Sequence, residues 1–161
     1  MSLRQPPNPD GPRPASAVLT TSEDAEEAFY AAFSVGRLDD MMRVWADDAS
    51  VVCIHPGGPR LSGIAEIRDS WRQIFTDSMP RAFILRGLIV SGDDTLRIHL
   101  LEENIRVPGT NFVAPPVLAT NVYRRLTEGW RMVLHHASVA PLNLPHAGAT
   151  PGTGRTKPHL H

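Results

Sequence analysis

The chain has 161 residues, of which 42% are hydrophobic and 20% charged, with a formal net charge of -1. These values are typical of a globular protein with a single core. A nucleic-acid binder needs a basic face to neutralise phosphates, and no basic run suggests a membrane surface, so we expect neither partner. The single cysteine, Cys53, can form neither an intrachain disulfide nor a thiolate metal site. We predict no cofactor and no metal.

Both ends of the chain differ in composition from its middle. Residues 1–18 are rich in proline, and residues 143–161 are similar, so neither segment buries enough apolar surface to offset the entropy of ordering. We predict two flexible tails around one domain at 19–142. The start of the chain has no signal-peptide pattern, and no segment reaches the roughly 20 apolar residues of a membrane span, which favours a cytoplasmic location.

Three helices are predicted in the first half. The first begins at Thr20 to Ser22, where the spacing to acidic residues resembles a capping box, and Gly36 suits its end. A second, short helix starts at Leu38 and ends at Asp47 and Asp48. A third runs over 64–76, with its apolar residues at helical spacing.

Strands follow the helices. Residues 49–54 read as a buried strand between the second and third helices, and the Pro-Gly-Gly segment after it ends that strand. Beyond Pro80 the pattern predicts four further strands, at 81–90, 95–106, 117–126 and 130–139. Helices first and a strand meander later predict an α+β domain.

The last two strands contain a candidate polar pair. A hairpin that sets Leu126 opposite Trp130 also sets Asn121 opposite His135, with their Cβ atoms about 5 Å apart. The pair either forms the polar floor of a ligand pocket or satisfies itself in a filled core. The neighbours on the same sheet face are Ala119, Tyr123, Val133 and Ala137. His136 points to the opposite face.

Two further residues are candidates for chemistry. His55 ends a buried strand at the Pro-Gly-Gly break, and its reference pKa of about 6.5 suits a general base, although a purely structural role is the alternative. Glu102 shares its strand phase with Leu96, Ile98 and Leu100, which predicts an inward-facing carboxylate with a raised pKa.

Two long runs of the sequence resemble a known family. AAFSVGRLDDMMRVWADDASVVCIHPGGPRLSGIAEIRDSW and VLATNVYRRLTEGWRMVLHHASV resemble the two halves of nuclear transport factor 2-like (NTF2-like) domains, nearest the SnoaL-like and ketosteroid-isomerase-like branch. The resemblance covers about residues 20–140. It implies a cystatin-like α+β roll, in which three N-terminal helices close a cone of curved antiparallel sheet around an apolar cavity. It also implies a homodimer through the outer sheet face.

The resemblance also assigns site residues. His55 stands where ketosteroid isomerases place their proton-shuttling Asp, Asn121 where they place a protonated Asp, and Phe29 where they place a hydrogen-bonding Tyr. Because Phe cannot donate a hydrogen bond, steroid isomerisation is not expected. The predicted pocket is lined by Phe29, Phe33, Trp45, Trp71, Ala119, Tyr123, Val133, Ala137 and Glu102.

Two functions stay open at this point. One is an acid/base isomerase, cyclase or dehydratase acting on a small apolar carbonyl compound. In it, His55 removes a proton and Asn121, alone or with His135, binds the developing enolate oxygen. The other is a non-catalytic module that binds a small apolar ligand or assembles as a dimer, as in the association domain of calmodulin-dependent kinase.

Overall fold

The computed structural model describes residues 18–76 and 79–141, so the predicted tails lie outside the described residues apart from Val18. The described part consists of three helices and one sheet of six strands. The helices are α1 (Ser22–Val35), α2 (Leu38–Val44) and α3 (Ile64–Thr76). The strands are β1 (Val52–Ile54), β2 (Arg60–Ser62), β3 (Ala82–Gly92), β4 (Leu96–Arg106), β5 (Val117–Leu126) and β6 (Gly129–Val139).

The six strands form one open, curved sheet in the order β2-β1-β6-β5-β4-β3. Strands β3 to β6 pair in antiparallel fashion, as the meander pattern predicts. The helices pack on the inner face of the sheet, which confirms the predicted α+β fold class. Two details go beyond the prediction, because β1 joins β6 in parallel and a further strand, β2, forms between the Pro-Gly-Gly break and α3.

Local signals fix the ends of α1. Thr21 caps the helix by accepting from the Asp24 backbone N–H, and the Asp24 carboxylate accepts from the Thr21 N–H in return. Gly36 ends the helix at φ 68°, a left-handed conformation that other residues rarely adopt. The predicted end of α2 at Asp47 and Asp48 is wrong. Trp45 already has extended backbone and bridges to Met132 of β6.

The core lies between the helices and the inner face of the sheet. Its largest fully buried side chains include Phe29 of α1, Trp71 of α3 and Tyr123 of β5. The outer face is different, because long apolar side chains on β3, β4 and β5 remain exposed. No helix within residues 18–76 and 79–141 combines the length and the apolar character that a membrane crossing requires.

The hairpin between β5 and β6 has an unexpected turn. Leu126 pairs with Gly129, not with Trp130, because the turn contains two residues and not three. An irregularity between Val122 and Tyr123 then shifts the register by one residue. Asn121 and His135 are therefore paired as predicted, although the predicted register at the turn is wrong.

We expect Thr21→Ala to lower the free energy of unfolding by about 1 kcal/mol, because an N-terminal backbone N–H of α1 loses its acceptor. Thr21→Ser keeps the hydroxyl and should recover most of that loss. Urea denaturation of the three proteins measures the difference, and equal stability of the Ala and Ser variants would contradict the capping role.

Candidate functional site

Four paired positions carry a row of polar side chains across the inner face of the sheet. Cys53 of β1 lies opposite His135 of β6, His135 opposite Asn121 of β5, and Asn121 opposite His99 of β4. Directly paired residues project from the same face. All four are at most 2% exposed. The sheet thus buries a polar stripe beneath α1, where an ordinary core is apolar.

Hydrogen bonds extend this stripe into a chain of four groups. His135 Nδ1 lies 2.7 Å from Asn121 Oδ1, and Asn121 Nδ2 donates to the Tyr30 hydroxyl at 3.2 Å. The Tyr30 hydroxyl donates in turn to Glu103 Oε1 at 2.7 Å. The chain therefore connects the centre of the sheet to a buried carboxylate on β4.

The direction of this chain determines the tautomer of His135. The Asn121 Nδ2 can only donate, so it donates to the Tyr30 hydroxyl, which donates in turn to Glu103. Asn121 Oδ1 then accepts from the Nδ1–H of His135. A neutral imidazole with its proton on Nδ1 carries its lone pair on Nε2. His135 is consequently held as a hydrogen-bond acceptor at Nε2.

Burial shifts the pKa values of His135 and Glu103, the groups at the two ends of this hydrogen-bond chain. Desolvation, reinforced by the neighbouring His55 and His136, lowers the pKa of His135 to about 3. Desolvation raises the pKa of Glu103 to about 7, although the hydrogen bond from Tyr30 acts in the opposite direction. His135 is therefore neutral near pH 7, while Glu103 titrates there.

His55 reaches the same interior from the end of β1. Its Nε2 lies 2.9 Å from Ser70 Oγ on α3 and 3.6 Å from Cys53 Sγ. Its ring lies 6.3 Å from that of His135, centroid to centroid, and burial lowers its pKa. Burial also raises the pKa of the Cys53 thiol to about 12, which argues against a nucleophilic cysteine. His55 is half-buried and lies at the edge of the cluster.

Aromatic rings pack around the two imidazoles. Phe29 lies 5.1 Å from His135 and 5.6 Å from Trp71, and Trp71 lies 4.9 Å from His55. Phe33 contacts Trp71 on the other side at 4.8 Å. Because Phe29 and Trp71 are 0% exposed, the polar cluster is closed off from solvent except at its edge, where His55 is half-buried.

The remaining predicted lining residues fall in different places. Ala119, Tyr123, Val133 and Ala137 are buried on β5 and β6 around the Asn121–His135 pair. Trp45 does not belong with them, because it lies at the end of α2 beside a separate surface cavity of about 330 Å³.

The predicted inward position of Glu102 is wrong. His99, Leu101 and Glu103 are the buried residues of β4, whereas Glu102 is half-buried and lines a groove on the outer face. The prediction placed Glu102 inward because it shares a sheet face with Leu100, but Leu100 is itself 42% exposed on the outer face.

Sequence reasoning missed Tyr30, Glu103 and Ser70. The sequence contained a signal for Glu103. Side chains of β4 alternate between the two sheet faces, and Glu103 lies on the same face as His99, which is paired with Asn121. Tyr30 follows Phe29 directly on α1, and its hydroxyl reaches Asn121 from a position that the resemblance does not indicate. Ser70 carried no signal, because its contact depends on how α3 packs against β1.

A second buried polar cluster lies beside the first. His99 Nδ1 is 2.9 Å from Glu26 Oε2, and His99 Nε2 is 3.0 Å from Ser22 Oγ. These contacts tie the start of α1 to β4. Among residues 18–76 and 79–141, no group of three or more His, Cys, Asp and Glu side chains is arranged to hold a metal ion.

Comparison with known proteins places this geometry in a family. The family model described as SnoaL-like domain matches residues 23–142. The chain belongs to the SnoaL-like domain family. The predicted resemblance to NTF2-like domains is thereby confirmed, since structural neighbours of this SnoaL-like chain carry that family name.

Two solved structures are similar to this SnoaL-like domain. A protein from Thiobacillus denitrificans, assigned to the calcium/calmodulin-dependent protein kinase type II association domains, is 41% identical. The match covers 78% of this chain and 100% of that one, with a TM-score of 0.74. An NTF2-like protein from Streptomyces avermitilis, assigned as a dehydratase, is 32% identical with a TM-score of 0.68, over 75% of this chain and 94% of that one.

A plant protein also contains a similar segment. The F-box protein SKIP8 of Arabidopsis thaliana is 30% identical over 105 residues, which are 63% of this chain and 42% of that protein. The SnoaL-like chain thus spans less than half the length of this relative.

The two buried groups at the ends of the hydrogen-bond chain, His135 and Glu103, change the stability of the protein in opposite directions as pH changes. Between about pH 3 and the reference value of about 6.5, folded His135 binds fewer protons than the unfolded chain, so its contribution is lost as pH falls. Glu103 binds more protons when folded between its reference value of 4.5 and about 7, so its contribution is lost as pH rises.

We therefore expect the stability gap between wild type and His135→Gln to shrink as pH falls from 6.5 to 4, by up to about 1.4 kcal/mol per pH unit. Urea denaturation at several pH values measures this gap. His136→Gln is the matched control, because it removes the neighbouring imidazole, whose ring is exposed on the outer face of the subunit. A gap for His135→Gln that stays constant with pH would contradict a neutral, buried His135.

Proposed function

We propose that this SnoaL-like protein catalyses proton transfer on a small, largely apolar carbonyl compound bound between α1, α3 and the inner sheet face. The observation that carries the proposal is the convergence of two imidazoles and one carboxamide, distant in the chain, within a buried aromatic cluster. His55 is the proposed general base. An isomerase, a cyclase and a dehydratase all begin with such a proton abstraction.

The electrostatics support His55 as the base. Burial lowers its pKa, so the ring is predominantly neutral near pH 7 and able to accept a proton. Ser70 fixes the ring through Nε2, which orients the other nitrogen, Nδ1. His135 is a weaker base because its pKa is about 3, and it suits a role as a fixed acceptor for a substrate hydroxyl or amine.

The cost of the buried polar groups also supports a site. Burying polar side chains in place of apolar ones brings little net stability even when they are hydrogen-bonded. Perturbed pKa values concentrated at one position are characteristic of functional sites. The 32% identical Streptomyces relative, assigned as a dehydratase, is consistent with this chemistry. Ligand entry requires the Pro-Gly-Gly segment or α3 to move, since the cluster is closed.

We expect the wild type to accelerate the exchange of the α-protons of β-tetralone in D2O, measured by proton NMR. His55→Ala should lower the protein-dependent rate by at least about a hundredfold, the usual contribution of a general base. This compound is a suitable probe because it is a small, flat and mostly apolar ketone with acidic α-protons.

His136→Ala is the matched control for this experiment, because its imidazole lies on the outer face of the sheet beside His135 in sequence. It should keep the wild-type exchange rate, and a thermal melt should show that all three proteins are folded. A wild-type exchange rate for His55→Ala, or binding of the ketone by the wild type without faster α-proton exchange, would contradict the catalytic proposal.

A second function is favoured by the outer face. Ile89, Leu100 and Leu118 are 42–61% exposed on adjacent strands of one sheet face. Contiguous exposed apolar surface marks interaction sites. The 41% identical Thiobacillus relative, assigned as an association domain, is consistent with assembly. We infer a homodimer through this outer face, which serves either as the scaffold of the enzyme or as a non-catalytic interaction module.

We expect the wild type to sediment as a dimer and the double variant Leu100→Glu/Leu118→Glu as a folded monomer, because each subunit would bring two carboxylates into the interface. Analytical ultracentrifugation measures the mass. Val35→Glu is the control, since Val35 is 63% exposed at the end of α1, away from the sheet. A double variant that remains dimeric would place the interface elsewhere.

A further inference from the structure

A bound carbonyl compound needs a hydrogen-bond donor for its oxygen. The sequence predicts Asn121 for this role, but its Oδ1 accepts from His135 and one N–H of its Nδ2 donates to Tyr30, so at most the second N–H of the amide is left. The Nδ1–H of His135 is donated to Asn121 Oδ1. Proton abstraction next to a carbonyl places negative charge on the oxygen, and this charge needs a donor.

One buried donor beside the two imidazoles has no acceptor. The indole Nε1–H of Trp71 is fully buried and makes no hydrogen bond within the described residues. A buried donor without an acceptor disfavours the folded state, and native proteins rarely retain one. An acceptor supplied by a ligand would remove that penalty.

The position of Trp71 fits this requirement. Its ring meets His55 edge-on at 4.9 Å and lies 6.4 Å from His135, so it packs beside both the proposed base and the fixed acceptor. Phe29 and Phe33 pack against it at 5.6 and 4.8 Å. The indole ring is thus packed against aromatic side chains, which favours a flat, apolar ligand body.

We propose that Trp71 donates its Nε1–H to the carbonyl oxygen of the ligand, so that the ligand class is a flat, largely apolar ketone or aldehyde with this oxygen inside the aromatic cluster. This inference rests on the proposed function. During the reaction the α-carbon–hydrogen bond breaks and the proton passes to His55. The electron pair of that bond forms the carbon–carbon double bond of the enolate, and the indole N–H of Trp71 stabilises the negative charge that develops on the oxygen.

Two Phe variants test the donor, because Phe retains an aromatic ring and removes the N–H. Trp71→Phe should raise the Kd for β-tetralone by on the order of tenfold, the effect of one lost hydrogen bond in a buried site. The Kd for tetralin, the same skeleton without oxygen, should stay within about twofold of the wild-type value, because tetralin cannot accept the bond.

Trp45→Phe is the matched control. Trp45 also has a buried Nε1 without an acceptor, but it lies at the end of α2, beside the separate surface cavity. This variant should bind both compounds as the wild type does. In the 15N-labelled wild type, the indole N–H resonance of Trp71 should move downfield with β-tetralone and less with tetralin, while that of Trp45 stays in place.

Each outcome decides between the proposals. Equal β-tetralone affinity of wild type and Trp71→Phe, or no movement of the Trp71 resonance at the solubility limit of the ketone, overturns the donor role. The spectroscopic measurement uses the unmodified protein, so it holds even if Trp71→Phe fails to fold. A Trp71-dependent affinity without any α-proton exchange would instead support the ligand class and contradict the catalytic function alone.

Discussion

The hydrogen bond between Asn121 and His135 is the interaction on which the interior depends. It joins two adjacent strands at the centre of the sheet and fixes the imidazole as the Nδ1–H form. The register that brings the two side chains together is set by an irregularity one residue away, between Val122 and Tyr123. Without that shift, the two-residue turn would set Asn121 opposite Leu134 and His135 opposite Thr120. The extra residue Val133 on β6 therefore decides whether the two polar side chains are paired.

The two ends of the buried hydrogen-bond chain, His135 and Glu103, offset each other's effect on stability as pH changes. His135 favours the folded state when the solution is less acidic, and Glu103 favours it when the solution is more acidic. Their contributions oppose each other over much of the range between pH 4.5 and 6.5. Tyr30 and Asn121 connect the two groups, but the direction of the hydrogen bond at His135 is fixed by the Asn121 amide, whose Oδ1 can only accept. The arrangement links an ionisable group on β4 to the centre of the proposed site.

The parts of the fold that were predictable are those governed by short-range rules. Capping at Thr21, the left-handed Gly36 and the alternation in β5 are each determined by a few neighbouring residues, and the sequence shows them. The errors arose where distant packing decides. The end of α2 depends on a bridge from Trp45 to Met132, and the inward face of β4 depends on its pairing with β5. For the same reason Asn121, His135 and His55 could be named in advance, whereas Ser70 and the hydroxyl of Tyr30 enter the site only through the way the helices lie on the sheet.

The closed state of the interior follows from the same packing and bears on how the protein would work. A cluster of edge-to-face rings around Trp71 excludes water, which strengthens every electrostatic interaction inside it. It also leaves the indole N–H without a partner, and this unsatisfied donor weakens the closed form in the absence of a ligand. A carbonyl oxygen that fills this position would stabilise the closed form selectively. Binding would thus be coupled to closure through one hydrogen bond.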